Sequence, residues 1–356
     1  MTVARSARPE RLRDLDILRG IAACCVLLFH FTYISDPHHL WPFQVRWGHY
    51  GVELFFVISG FVILMTLERS GSVKEFLISR VTRLYPVYWC AVLFTACVLA
   101  VLAPATVPLV AVVGDLTMLQ AFMRVASIDP SYWTLTAELI FYAAIVTWFR
   151  FRNSRVPEIE WYCIGWIVVA AAARTVLSMR HLEMPGIYAT PLLLYYGQFF
   201  IIGICLYRVY CSDFSALTLV TLVAAALMSL FGGGPASERP GPLSYFLVTC
   251  GVSLLVFLAS RSGLAFLRNS VLLFLGDISY PLYLIHQRVG EELTNAAYRH
   301  QCPPWLSIAL VLAILIAIAW LIHQYVEVPA RTVLRARLRL LSASGWGSAA
   351  PTSAGE

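Results

Sequence analysis

The chain has 356 residues, of which 59% are hydrophobic and 13% are charged, whereas about 25% of the residues of a soluble domain are charged. This composition excludes an ordinary soluble domain and predicts an all-α, polytopic membrane protein. The net charge of +6 comes from basic residues spread between apolar segments, which argues against a nucleic-acid partner because no clustered basic face is present. The nine cysteines lie mostly inside apolar segments without paired spacing, so neither a disulfide framework nor a metal site is expected.

Ten apolar segments are long enough to cross a bilayer, which takes about 20 residues. They lie at approximately 16–34, 50–68, 84–103, 133–150, 159–179, 187–208, 213–231, 242–260, 271–288 and 304–325. A further apolar stretch, 107–122, is interrupted by Gly114 and Asp115, and a re-entrant or interfacial segment is favoured over a true span. The first segment follows an Arg-rich arm and lacks a small-residue cleavage site, which is typical of an uncleaved anchor.

The distribution of Lys and Arg predicts the orientation. With a cytoplasmic N-terminus, eighteen of the 26 Lys and Arg residues fall in inner segments, six in outer loops, and Arg19 and Arg174 within spans. Because positive residues are enriched in cytoplasmic loops, we expect about ten transmembrane helices with both termini cytoplasmic, in the cell (inner) membrane. The predicted organisation is a cytoplasmic arm at 1–13, one transmembrane domain at 14–332 and a basic, then disordered, tail at 333–356.

Arg19 and His30 place two ionisable side chains inside the first apolar segment. They are eleven residues apart, about three helical turns, so they fall on one helix face roughly 16 Å apart along the axis. An ionisable residue within a membrane span is costly and normally faces a protein interior or a wet cavity. This pair therefore predicts a functional site on the first helix.

Four polar groups from four predicted helices share a layer near the outer surface: His30, Glu53, Glu138 and His286. A histidine titrates near neutral pH and can accept the proton of a hydroxyl as a general base. A carboxylate such as Glu138 at the other ring nitrogen would fix the tautomer. For Glu53 a structural hydrogen bond is favoured over catalysis, and for His286 a packing or capping role is favoured over chemistry.

A second layer lies on the predicted cytoplasmic side. Arg80 and Arg83 are three residues apart, so they share a face if 73–84 is helical, and Arg19 lies at a matching depth. Guanidinium groups bind phosphate through paired hydrogen bonds. Contact with lipid headgroups, which also sets topology, explains Arg80 and Arg83 equally well. Glu327, with Pro329 and Arg331, marks the inner end of the last predicted span.

Six blocks in this order resemble the acyltransferase 3 family of integral membrane O-acyltransferases. The resemblance covers roughly residues 13–332, with one departure at Ile17, where the family commonly has Gly. The blocks are Arg19 followed after ten residues by His30, GVELFFVISGF at 51–61, RVTRLYP at 80–86, WTLTAE at 133–138, LGDISYPLYLIH at 275–286 and EVPAR at 327–331.

The resemblance implies ten core helices and transfer of an acyl group, most often acetyl, from cytoplasmic acyl-CoA to a hydroxyl of a sugar or glycan. It also implies that His30 is catalytic and that Arg19, Arg80 and Arg83 bind the donor. Acyl-CoA would then be a co-substrate, with no bound cofactor. Tyr280 joins Glu53 and His286 as a candidate acceptor-side or structural residue.

Two functions remain open from the sequence. The first is an acyl-CoA-dependent O-acyltransferase in which His30, oriented by Glu138, deprotonates the acceptor. The second is a transporter or flippase for an acyl donor or a lipid-linked sugar, because charged residues in spans also fit transport. The lack of paired inverted repeats counts against transport. The acceptor, the acyl chain length and the oligomeric state are not fixed by the sequence.

Overall fold

The computed structural model describes residues 12–34, 44–104, 107–151, 158–180, 193–231 and 241–344, and no strand occurs within these ranges. The predicted arm at 1–13 and the end of the predicted tail lie almost entirely outside them. The α-helices, numbered along the chain, are α1 (Arg13–Phe29), α2 (Gly51–Ser70), α3 (Val73–Leu102), α4 (Leu109–Leu116), α5 (Gln120–Met123), α6 (Trp133–Phe151), α7 (Ile159–Met179), α8 (Gly197–Tyr210), α9 (Ala216–Leu227), α10 (Pro242–Ser260), α11 (Ser270–Ile285), α12 (Arg288–Arg299), α13 (Pro304–Ile322) and α14 (Arg335–Ser344).

Short helical turns of other types join these helices. The 3-10 turns are Arg46–Tyr50, Pro130–Tyr132, Met228–Phe231 and Ala265–Leu267, and the π-helical turns are His30–Ile34, His323–Glu327 and Ala330–Leu334. π-helices are rare and occur mostly as single turns, frequently at functional sites. The three π turns of the described chain are therefore places where functional residues are expected.

Seven helical runs of the described chain are long and apolar enough to cross a membrane: Arg13–Ile34, Arg46–Ser70, Val73–Leu102, Pro130–Phe151, Ile159–Met179, Pro242–Ser260 and Pro304–Leu340. Each contains one of the predicted segments, except that the run Val73–Leu102 lacks the last residue of the segment 84–103. The other three predicted segments correspond to shorter apolar helices, Gly197–Tyr210, Ala216–Phe231 and Ser270–Ile285; the first part of the predicted segment 187–208, residues 187–192, lies outside the described residues. The helical architecture is thus confirmed for the described residues, and the seven long apolar helices agree with a multi-pass membrane protein, while the count of ten spans and the side of the termini stay predictions.

Several boundaries differ from the sequence prediction for identifiable reasons. The stretch 73–84 joins the following span in one 30-residue helix, α3, which at 1.5 Å per residue is about 45 Å long and exceeds the roughly 30 Å hydrocarbon core. The predicted span 271–288 ends earlier, at Ile285, because the next helix begins at Arg288, whose backbone N–H donates to Asp129 at 3.0 Å. The segment 107–122 forms two short helices, α4 and α5, of eight and four residues, too short to span.

The chain forms two compact units, the first comprising Met1–Leu64 with Trp133–Tyr280 and the second Met65–Tyr132 with Pro281–Glu356. In the first unit glycines allow helices to approach closely, as small residues do between membrane helices. A Cβ on Gly20 of α1 would lie 2.6 Å from the backbone nitrogen of Gly276 in α11, and one on Gly51 would lie 2.6 Å from the carbonyl oxygen of Ala22. These contacts hold α1 by its backbone on two sides.

In the second unit α3 is the common element. It packs against α4, α12, the two π turns that follow α13, and α14. Glu75, near the beginning of α3, pairs with Arg339 of α14, so the basic beginning of α3 and the basic end of the described chain are neighbours within one compact unit.

Candidate active site

His30 lies in the π-helical turn His30–Ile34, directly after the last residue of α1. Its Nδ1 atom is 2.8 Å from the carbonyl oxygen of Val26, and the side chain is half-buried. A carbonyl oxygen can only accept a hydrogen bond, so Nδ1 carries the proton and Nε2 is the nitrogen able to take up another. The backbone of the helix itself thus selects the tautomer that a general base requires.

Thr32 secures the turn that carries His30. Its hydroxyl donates to the carbonyl of Leu28 at 2.7 Å and accepts from the backbone N–H of Val45 at 3.0 Å, and its side chain is buried. The first bond stabilises the π turn, and the second ties it to the segment that leads into the turn Arg46–Tyr50. No sequence signal distinguished Thr32, because both of its partners are backbone atoms.

Glu138 lies on α6 and is half-buried. Its Oε1 atom accepts hydrogen bonds from the hydroxyls of Tyr142, at 2.7 Å, and Ser59, at 3.4 Å. The ring nitrogen of His30 at which the sequence analysis expected a carboxylate is occupied by the carbonyl of Val26. The catalytic role of Glu138 therefore stays a prediction.

Glu53 is buried on α2 and accepts a hydrogen bond from the hydroxyl of Tyr245 at 2.9 Å. A buried carboxylate that accepts a hydrogen bond from a tyrosine on another helix is the arrangement expected if Glu53 has a structural role. Arg19 is half-buried on α1 beside Gly20, where α1 and α11 touch. Both residues belong to the first unit.

Arg80 and Arg83 lie on α3, so the helix assumed for their spacing is present. Arg80 is 7% exposed, donates to Thr66 Oγ1 at 3.1 Å and lies over the ring of Phe76 at 5.6 Å from its centroid. Arg83 is half-buried. Both belong to the second unit, and donor binding and lipid-headgroup contact both stay predictions for them.

Glu327 is the centre of a network of ionisable side chains. The sequence indicated this residue only as the inner end of the last predicted span. Its carboxylate is 1% exposed; Oε2 accepts from His323 Nδ1 at 2.8 Å and Oε1 from an Arg331 N–H. Arg83 interacts electrostatically with the same carboxylate. The spacing of four residues on either side of Glu327 was a usable signal, because such residues are neighbours on a helix.

His286 is 1% exposed, and its Nδ1 atom lies 2.6 Å from the carbonyl oxygen of Tyr283. It occupies the turn between α11 and α12, which fits the packing or capping alternative. Tyr280 is half-buried within α11. Within the described part of the chain, no three His, Cys, Asp or Glu side chains are grouped as metal ligands would be.

Comparison with known proteins gives one family. Residues 12–324 match the model of the acyltransferase 3 family, described as an acyltransferase domain. The Acyltransferase MdmB of Streptomyces mycarofaciens is 26% identical, with 93% of this chain and 94% of its own length covered. The Exopolysaccharide production protein ExoZ of Rhizobium meliloti is 30% identical, with 91% and 100% covered. The Nodulation protein 10 of Rhizobium leguminosarum bv. viciae is 25% identical, with 91% and 95% covered. No solved structure matches significantly.

Proposed function

The chain belongs to the acyltransferase 3 family, and on that premise we propose that it transfers an acyl group, acetyl in the simplest case, from cytoplasmic acyl-CoA to a hydroxyl of a sugar or glycan. That the chain is an acyltransferase follows from the family and from the relative named as one. The relative named for exopolysaccharide production supports a glycan acceptor. The cell (inner) membrane is proposed as its location, with no bound cofactor.

The observation that carries the mechanism is the hydrogen bond from His30 Nδ1 to Val26. With Nδ1 protonated, Nε2 of His30 takes the proton of the acceptor hydroxyl as the oxygen attacks the thioester carbonyl carbon. The C–S bond then breaks, and the departing CoA thiolate takes the proton from the imidazolium. No covalent enzyme intermediate is needed.

The other candidate residues have supporting parts in this proposal. Arg19, Arg80 and Arg83 bind the phosphates of the donor, as the family resemblance implies. Glu138 keeps its proposed catalytic role, and its Oε1 atom accepts hydrogen bonds from the hydroxyls of Tyr142 and Ser59.

The remaining candidates have structural or acceptor-side roles. The hydrogen bonds of Glu53 to Tyr245 and of His286 to Tyr283 support the structural ones. Tyr280 is kept as a candidate of the same kind.

The test is transfer of labelled acetyl from acetyl-CoA to a polysaccharide by the purified protein in proteoliposomes, with His30→Ala as the variant and His300→Ala as the control. Loss of a general base lowers the rate by about 10²–10⁴-fold, so the first variant is expected to lose transfer. The second, whose side chain is exposed at the end of α12, is expected to keep it. Full transfer by His30→Ala, or uptake of donor without transfer by the wild type, would contradict the proposal.

A further inference from the structure

The positive charges around Glu327 outnumber the negative one. Both oxygens of this buried carboxylate are engaged, one by His323 and the other by Arg331. Arg83 interacts with the same carboxylate through space, and no hydrogen bond or ion pair joins Arg83 to the described residues. One carboxylate therefore faces at least two guanidinium groups.

Arg335 adds a further cation to this region. It follows Arg331 by four residues, so the two side chains leave the chain on the same side. The Nε atom of Arg335 is buried and has no hydrogen-bond partner within the described chain. A buried donor without an acceptor is unfavourable, which points to an acceptor that arrives from outside the chain.

The packing of the second unit brings these groups to one region. The helix α3, which carries Arg83, packs against the π turn Ala330–Leu334 and against α14, which begins at Arg335, and Glu75 of α3 pairs with Arg339 of α14. Where guanidinium groups outnumber the carboxylates beside them, they can bind phosphate through paired, charge-assisted hydrogen bonds.

We propose that Arg83, Arg331 and Arg335 form a phosphate subsite for the nucleotide end of the acyl-CoA donor, with Glu327 as the positioning residue that holds Arg331. This proposal rests on the proposed function, which supplies a polyanionic donor. It adds the C-terminal segment after α13 to the donor-binding residues. The same chemistry would also suit a lipid headgroup phosphate, and the experiment separates the two sources.

The experiment compares two donors: acetyl-CoA, and acetyl-pantetheine, which carries the same thioester without phosphates. The variant is Arg335→Gln, and the matched control is Arg337→Gln, which removes one charge from an exposed position of the same helix. For Arg335→Gln we expect the KM for acetyl-CoA to rise about tenfold, which corresponds to about 1.4 kcal/mol, with kcat within twofold. Its KM for acetyl-pantetheine should not change, and Arg337→Gln should leave both KM values within twofold.

Glu327→Gln tests the positioning role. It keeps the shape of the side chain but removes the charge that holds Arg331, so it should raise the KM for acetyl-CoA and leave that for acetyl-pantetheine unchanged. An equal rise for both donors would show that Glu327 is merely structural.

Binding keeps the test independent of catalysis. Adenosine 3′,5′-bisphosphate should bind the catalytically disabled His30→Ala protein and bind less tightly when Arg335→Gln is added. Weaker nucleotide binding together with absent acyl transfer in the wild type would support the subsite while refuting the proposed function. An unchanged nucleotide affinity would overturn the subsite. A second result would also overturn the subsite: Arg335→Gln changes only the difference in activity between phosphatidylglycerol and phosphatidylcholine vesicles. The bound phosphate would then be that of a lipid.

Discussion

His30 and His323 lie in similar surroundings and have different partners. Each begins a π-helical turn that directly follows a long apolar helix. Nδ1 of His30 pairs with an uncharged backbone carbonyl, and Nδ1 of His323 pairs with the buried carboxylate of Glu327. The first arrangement fixes the tautomer in which Nε2 carries no proton, while the second joins His323 to a network that also contains Arg331. The partner of the ring, and not the local helix type, separates the two roles.

The largest effect is expected in the network around Glu327. Glu327→Ala removes the carboxylate that accepts from Arg331 and His323. Breaking a fully buried ion pair from one side costs about 3–5 kcal/mol, and because Arg331 is 40% exposed and water partly compensates its charge, we expect a loss of at most about 3 kcal/mol. Glu75→Ala is the control, because its pair with Arg339 is largely exposed and such pairs contribute about 0–1 kcal/mol. Thermal unfolding in detergent measures both, and equal losses would show that the Glu327 network has no special weight.

A smaller effect is expected around His30, whose ring pairs with an uncharged carbonyl. Thr32→Val removes the hydrogen bonds to Leu28 and from Val45 while keeping the size of the side chain, so the His30 ring should shift. Displacements of catalytic groups by about 1 Å can cost up to about 10²-fold in rate. We expect kcat to fall by about ten- to a hundredfold with the KM for acetyl-CoA unchanged, and Thr32→Ser, which keeps the hydroxyl, to restore it. A rise in KM at constant kcat would place Thr32 outside the positioning of His30.

The smallest effect is expected at Glu138. Because Val26 and not a carboxylate pairs with Nδ1 of His30, Glu138→Gln should lower kcat by no more than about tenfold, well below the loss of a general base. Tyr142→Phe, which removes the shorter hydrogen bond to Glu138, is the companion variant. A loss at Glu138→Gln as large as that at His30→Ala would restore the direct pairing that the sequence suggested.

The architecture was accessible from the sequence because apolar length is a strong signal. A helix overlaps each of the ten predicted segments, and the helix assumed for Arg80 and Arg83 exists. The ends were less accessible, since the start of α12 depends on Asp129, a cap 159 residues away. Hydropathy carries no information about such a distant partner.

In the candidate site, the proposed catalytic side chain was predictable from the sequence and its backbone partner was not. His30 was singled out by its own chemistry, whereas the group that orients it is the carbonyl oxygen of Val26, which no side-chain pattern can indicate. The Glu327 network did carry a signal in its spacing of four residues, and hydropathy alone hid it inside the end of a span. The orienting carbonyl could come only from the structure.

In the proposed mechanism His30 performs the chemistry without holding the donor. This division of roles is tested most directly by measuring acetyl-CoA binding and acetyl transfer on one preparation of His30→Gln. We expect a Kd within twofold of the wild type and transfer reduced by at least about a hundredfold. Transfer at the wild-type rate by His30→Gln would contradict it.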